Sequence, residues 1–393
     1  MITRRLWSVD VSLLVCLTTV VVGLGGVAAA QRGGPARPEP FTGITANGTL
    51  EAGLFSIKST GVSTAPVREA AQRFLQSLTD EQRGRTSYPV DDTEWLKWNN
   101  VHRYTRQGVS FKEMTDVQGE RGLAMMQAGL SARGFEKSRN IMRLNGYLAE
   151  LLNNFNEYGE GLYYLTVMGG PSRTEPWGWQ LDGHHLVINY FVLGDQVVMT
   201  PTFMGSEPVT ATTSKYGSIA VLHEEQNKGL AFMQSLSAAQ QAKAAIQVSK
   251  TANNALAQAF RDNIVLDYAG LPGSDLSPSQ QTRLLGVVEE FVGNMADGHA
   301  KVRMDEVRSA INRTFFAWIG GADDDSAFYF RIHSPIILIE FDHQTPVALP
   351  GARVPGKAHV HTVVRTPNGN DYGKDLLRQH YAARQGDPQH WHR

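Results

Sequence analysis

YYLTVMGG (163–170) leads into WGWQLDGHHLVINYF (177–191), and TFFAWIGG (314–321) leads into FYFRIHSPIILIEFD (328–342), with no gap needed to align the two. Both copies are rich in the β-branched and aromatic residues that favour strands, and Gly or Pro punctuates each run. The parallel extends upstream: FLQSLT (74–79) resembles FMQSLS (232–237), each after an alanine-rich helical stretch, and Thr115, Gln118 and Arg121 match Ser277, Gln280 and Arg283 in spacing. Downstream, each half is read as closing on a strand that ends in Thr-Pro, at Thr200-Pro201 and Thr366-Pro367. Correspondences kept in one order imply an internal duplication, about residues 60–210 and 215–370, against the alternative of convergent amphipathic patterns.

Helix starts repeat as well. Thr79 with Gln82, Thr115 with Gln118, Ser237 with Gln240 and Ser277 with Gln280 each place a hydroxyl three residues before a glutamine. That spacing is a capping box, and Pro278 suits a first helical position, where its missing N–H is no loss. Helices are expected near 66–78, 113–132, 136–153, 221–247, 251–262, 279–296 and 303–313. HHLVINYFV, a turn at Leu193–Gln196 and VVMTPTFM read as a hairpin, with AFYFRIH and IILIEFDH as strands of the second half. Helices followed by antiparallel strands in each half mean α+β. With no Pro/Gly/Ser linker between them, the halves (60–210 and 215–393) are expected to pack as one pseudo-twofold unit.

The N-terminus reads as an export signal over residues 1–30. Arg4 and Arg5 precede an apolar run from Val11 to Val27, and Ala28 and Ala30 flank the exit, so cleavage is expected before Gln31. An uncleaved anchor is the alternative, since a spanning helix needs about 18 apolar residues. Residues 31–59 form a lead-in, Gly- and Pro-rich at its start. The single cysteine, Cys16, lies in the signal, so the mature chain has no disulfide, thiolate metal site or cysteine nucleophile. Exported, the protein is expected in the periplasm or outside the cell. The net charge of −1, without a Lys/Arg block, argues against nucleic acid. Membrane contact is expected only through an uncleaved signal, and the partner is a small-molecule ligand or substrate.

Four runs carry a family resemblance: SIKSTGVSTAPVR (56–68), EPWGWQLDGHHLVINYFVLGDQVVMTPTFMGSEPV (175–209), RIHSPIILIEFDHQ (331–344) and HVHTVVRTPNGNDYGKDLLRQHY (359–381). Together they resemble the bacterial and fungal family known as domain of unknown function 3500, over nearly the whole mature chain. The resemblance supports export and a single family-wide unit, and implies no activity and no catalytic residue.

The chemistry therefore has to come from the residues. His359 and His361 stand two apart, so on a strand both rings face one side, and such a pair can chelate one ion. His343, next to Asp342, is expected to complete the sphere, with His185 or His380 as a further ligand. A metal-free polar pocket and purely structural histidines are the alternatives. His and carboxylate ligands suit a divalent transition metal, Zn, Cu, Mn or Fe. A second cluster, Arg365 to Tyr381, begins with the turn Pro367-Asn368-Gly369-Asn370. Arg365, Asp371 and His380 are candidate catalytic groups, and Asn368, Asn370, Tyr372, His184 and Trp177 candidate substrate contacts.

There is no HExxH, Gly-x-Ser-x-Gly, Walker or dinucleotide glycine pattern. Two function classes remain. One is an exported metal-dependent enzyme, hydrolase ahead of oxidoreductase; the other is a non-enzymatic periplasmic protein that binds a small ligand or a metal.

Overall fold

The computed structural model describes residues 40–351 and 353–384; the stretch expected to be an export signal and the start of the lead-in lie outside the described residues. In chain order the elements are α1 (Ala65–Ser77), α2 (Asp80–Thr86), β1 (Ser87–Tyr88), β2 (Val109–Ser110), α3 (Asp116–Gly129) and α4 (Ala132–Leu152), then β3 (Tyr163–Met168), β4 (Trp177–Gly183), β5 (Leu186–Leu193), β6 (Gln196–Val198) and β7 (Thr202–Ser206). There follow α5 (His223–Gln234), α6 (Ala238–Ala244), β8 (Ala245–Gln247), β9 (Leu271–Pro272), α7 (Pro278–Val292) and α8 (Asp297–Ser309), then β10 (Phe315–Gly320), β11 (Phe328–His333), β12 (Leu338–His343), β13 (Val360–Arg365) and α9 (Lys374–Arg384). The fold is α+β.

All these strands join one mixed sheet of order β1-β3-β4-β5-β7-β13-β12-β11-β10-β8, with β2 on β3, β6 on β5 and β9 on β10. From either end the order meets a short parallel edge strand (β1 on β3, β8 on β10) and then antiparallel strands up to the central pair β7–β13. Edge strands of two or three residues offer little free backbone for unwanted pairing.

Alternation along each strand divides the molecule into layers. One sheet face, with Trp179, Ile188, Met204, Phe330, Phe341 and Val360, packs beneath the helices. The other face carries Val187, Phe203, Leu338 and Val363, covered by loops that bring Ile44, Trp95, Trp98, Ala257 and Tyr372. The four capping boxes form as read, each hydroxyl accepting from the glutamine N–H and each glutamine returning to the cap N–H.

Several expectations are corrected. The helix expected at 221–247 is two helices, broken at Ser235–Ser237 because the Ser237 capping box starts α6. The stretch 251–262 is a loop: the buried carboxylate of Asp342 accepts from the N–H groups of Asn254 and Ala255, and that of Glu340 from Leu256 and Ala257. These bonds use the backbone donors a helix would need for itself. The two Thr-Pro pairs are not in equivalent places, since Thr200-Pro201 precedes β7 whereas Thr366-Pro367 follows β13. Antiparallel pairing of β7 with β13 brings them to one end, where the two threonine hydroxyls bond at 2.7 Å. The lead-in from residue 40 onward is part of the fold, with Ile44 fully buried and Thr45 bridging to Val265.

Candidate metal centre

His359 and His361 lie on β13 in the pattern that puts both rings on one face, and the ring of His361 crosses Gly205 of β7. A Cβ at Gly205 would stand 3.1 Å from that ring and 2.7 Å from the Val360 carbonyl oxygen, so glycine gives the imidazole its place. The third ring comes from the β4–β5 turn. His185 has φ +62°, a left-handed conformation unfavourable for a residue with a side chain. It is held by bonds from its N–H to the Asn100 carbonyl (3.1 Å) and from the Gly205 N–H to its own carbonyl (2.8 Å). Backbone strain tied down in this way is typical of functional sites.

The three imidazoles converge through Nε2. His359 Nε2 lies 3.0 Å from His361 Nε2 and 3.2 Å from His185 Nε2. Two nitrogens each about 2.0–2.1 Å from a common ion stand roughly 3.0–3.4 Å apart at bond angles near 95–110°. The residues therefore fit a shared transition-metal ion. On its far side, His359 Nδ1 faces only acceptors, the Thr345 carbonyl at 2.9 Å and the Glu207 carboxylate at 3.4 Å. Nδ1 must carry the proton, which leaves Nε2 of the neutral ring with a free lone pair, the arrangement that orients metal-binding histidines. Glu207 is itself fixed by N–H groups of Val347, Ala348 and Leu349.

Burial holds His185 and His361 well below the ordinary imidazole pKa, and the neighbouring rings add to it; burial lowers His359 too, against the pull of Glu207. All three are thus neutral ligands at pH 7. Among the described residues no carboxylate or fourth imidazole joins the group. Three protein ligands is the number found at catalytic zinc sites, where structural sites have four.

His184 stacks on His185 with ring centroids 4.0 Å apart, and its Nδ1 bonds Asn145 Oδ1 at 2.8 Å. Asn145 Nδ2 donates to the Gly159 carbonyl, so its oxygen is the atom offered to His184 and Nδ1 is the protonated nitrogen. His184 also lines an open cleft of about 330 Å³ with His102, Arg106, Asn156, Leu162 and Tyr164.

His343 does not belong to the centre. It pairs with Val360, between the two ligands, and so points to the helix face. There Nδ1 accepts from the Phe328 N–H and Nε2 meets Gln226. Arg365, four residues beyond His361, is roughly 13 Å along the strand. It is fully buried, bonding Asp371 (2.7 Å), Asp262 and the Ala257 carbonyl, while Asp371 also takes the Thr366 N–H and Tyr372 bridges Asp262 and Trp98. These groups form a satisfied clamp that holds the loops on the sheet. Burial alone would lower the Arg365 pKa, but the two carboxylates outweigh it and keep the guanidinium charged. Asn368 spans the Pro335 carbonyl and the Glu51 N–H, and Asn370 accepts from Leu376 in α9. Trp177 is sealed in the helix-side core, and His380 sits buried on α9, 3.6 Å from Glu175.

Of the groups first read as catalytic or substrate-binding, His184 alone adjoins the three histidines. Glu207, Thr345, Asn145 and His102 were missed. Each is a lone polar residue in a loop or helix, and only tertiary contact gives it a role.

The family model described as "Protein of unknown function (DUF3500)" matches residues 60–374. No curated protein and no solved structure matches the chain.

Proposed function

The chain belongs to this family of proteins of unknown function, and we propose that it is an exported metal-dependent enzyme, a hydrolase, whose ion is held by His185, His359 and His361. The observation that carries the reading is the convergence of three buried, neutral imidazoles through Nε2, with the proton of His359 fixed on Nδ1. A divalent transition metal bound there would supply Lewis acidity and a more acidic water. Substrate would approach through the cleft at His184, whose ring supports His185 and whose unprotonated Nε2 is available as an acceptor. Export rests on the N-terminal signal pattern of residues 1–30.

We also read the two halves as a duplicated, pseudo-twofold unit. The strand order that repeats from both ends supports this, as do the paired capping-box glutamines, Gln118 to Gln82 at 2.8 Å and Gln280 to Gln240 at 2.9 Å. Gly108 (φ +87°) and Gly270 (φ +90°) each lie where a Cβ would strike the carbonyl of the adjacent strand, at Leu165 and at Phe316. The metal site is not duplicated, because the position aligned with His185 is Ile336. One half gives the turn ligand and the other the strand ligands.

The test is elemental analysis of untagged protein from the cell envelope, beside a His359→Ala/His361→Ala variant. Near-stoichiometric metal in wild type and none in the variant is expected, with hydrolysis of an ester or phosphoester panel following the metal. Folded, metal-free wild type that takes up no added Zn, Cu, Mn or Fe would sink the reading.

A further inference from the structure

At the opposite end of β7–β13 from the histidines, a second cleft opens on the helix face. Five residues separate His361 from Thr366 on its rim, roughly 17 Å along a strand, so it is distinct from the metal centre. Its walls combine apolar side chains, among them Phe55, Met199, Met295 and Val364, with polar ones such as Thr200 and Thr202, and it is narrow, with about 80 Å³ of space. Residues 54–60 run across it as a strap. Gln196 ties the strap through the Ser56 carbonyl and the Lys58 N–H, and Asp195 ties it through Thr60 and Gly61.

One end of the cleft is polar and carries two cationic side chains. Lys58 and Arg303 share a single carboxylate, Glu306, at 3.9 and 2.8 Å, and Arg303 also bonds the Thr366 hydroxyl. His299 is 5 % exposed, lines the cleft, and makes no hydrogen bond among the described residues. Asp195, the carboxylate that acts on it electrostatically, accepts from the strap N–H groups of Thr60 and Gly61. A buried imidazole that makes no hydrogen bond among the described residues, beside Lys58 and Arg303 and next to apolar side chains, matches a short apolar chain that ends in an anion.

We propose that this cleft binds a small straight-chain monocarboxylate, its carboxylate received by His299 and Lys58 and its chain lying against Met199, Met295 and Val364. The site is independent of the metal centre. The probes are hexanoate, hexanol and hexylamine, titrated calorimetrically into wild type, into Val302→Trp and Val197→Trp, whose indoles would fill the cleft from opposite walls, and into His359→Ala/His361→Ala. Saturable one-to-one binding of hexanoate is expected, at least tenfold tighter than of hexanol or hexylamine, unchanged without the metal ligands and lost in the filled variants. No saturable hexanoate binding to wild type would overturn the proposal. So would equal binding of hexylamine, or undiminished binding in either folded tryptophan variant.

Discussion

Both ring nitrogens of His333 are buried without a well-formed hydrogen bond among the described residues, beneath Tyr268 at a ring separation of 4.7 Å and with the Asp267 backbone nearby. Burial pushes its pKa down to about 3, as it does that of His343. In the unfolded chain such groups titrate near 6.5, so below that pH the unfolded state binds more protons. Stability is then fully present above pH 6.5 and falls by up to about 1.4 kcal/mol per pH unit for each ring until pH nears 3. Asp182 acts in the opposite sense, since burial raises it to about 6 despite Arg106, and its contribution is lost as pH rises through that value. His333→Phe removes a proton site and two buried, poorly bonded nitrogens without opening a cavity. It should leave stability equal or higher at pH 7, and at pH 5 raise it by a further ~2 kcal/mol relative to wild type. The check is the urea midpoint at both pH values, and a gain no larger at pH 5 than at pH 7 would contradict the burial argument. The residue scale also marks what sequence could give for the metal site. His-x-His on a strand is legible from period two alone, and the same period, once the register with β12 is known, sends His343 to the other face.

Elements were most legible where local chemistry settles them. The capping boxes named four helix starts because hydroxyl and glutamine lie within one turn of each other. They do more than cap, since glutamines from neighbouring helices bond each other in both halves. Ser277→Ala should cost about 1 kcal/mol and Gln280→Ala more, as the latter also breaks the link to Gln240. Both are read by chemical denaturation, and changes below about 0.3 kcal/mol would contradict the assignment. The loop at 251–262 was illegible for the converse reason. Its alanine-rich sequence favours a helix, and what defeats that preference is a pair of carboxylates on β12, more than eighty residues away in the chain.

At the scale of the whole molecule, the central β7–β13 pair makes one sheet of both halves, with a continuous helix-side core. Unfolding one half would expose the facing edge of the other and half of that core, so the halves should open together. Native-state hydrogen exchange is expected to give the amides of β5, β7, β12 and β13 one common opening free energy. Strands of one half exchanging while those of the other stay protected would contradict it. The arrangement also explains why the centre was only partly readable: His185 and the β13 pair lie more than 170 residues apart, and the turn that aims His185 shows in sequence only as His-His after Gly183.

The most direct measurement is X-ray absorption fine structure at the metal edge of protein isolated with its native ion. Three imidazole nitrogens are expected at about 2.0–2.1 Å, completed by oxygen ligands, with the outer-ring imidazole signal reduced in His185→Ala. Fewer than three imidazoles, or a spectrum unchanged by His185→Ala, would contradict a centre built from the turn of one half and the strand of the other.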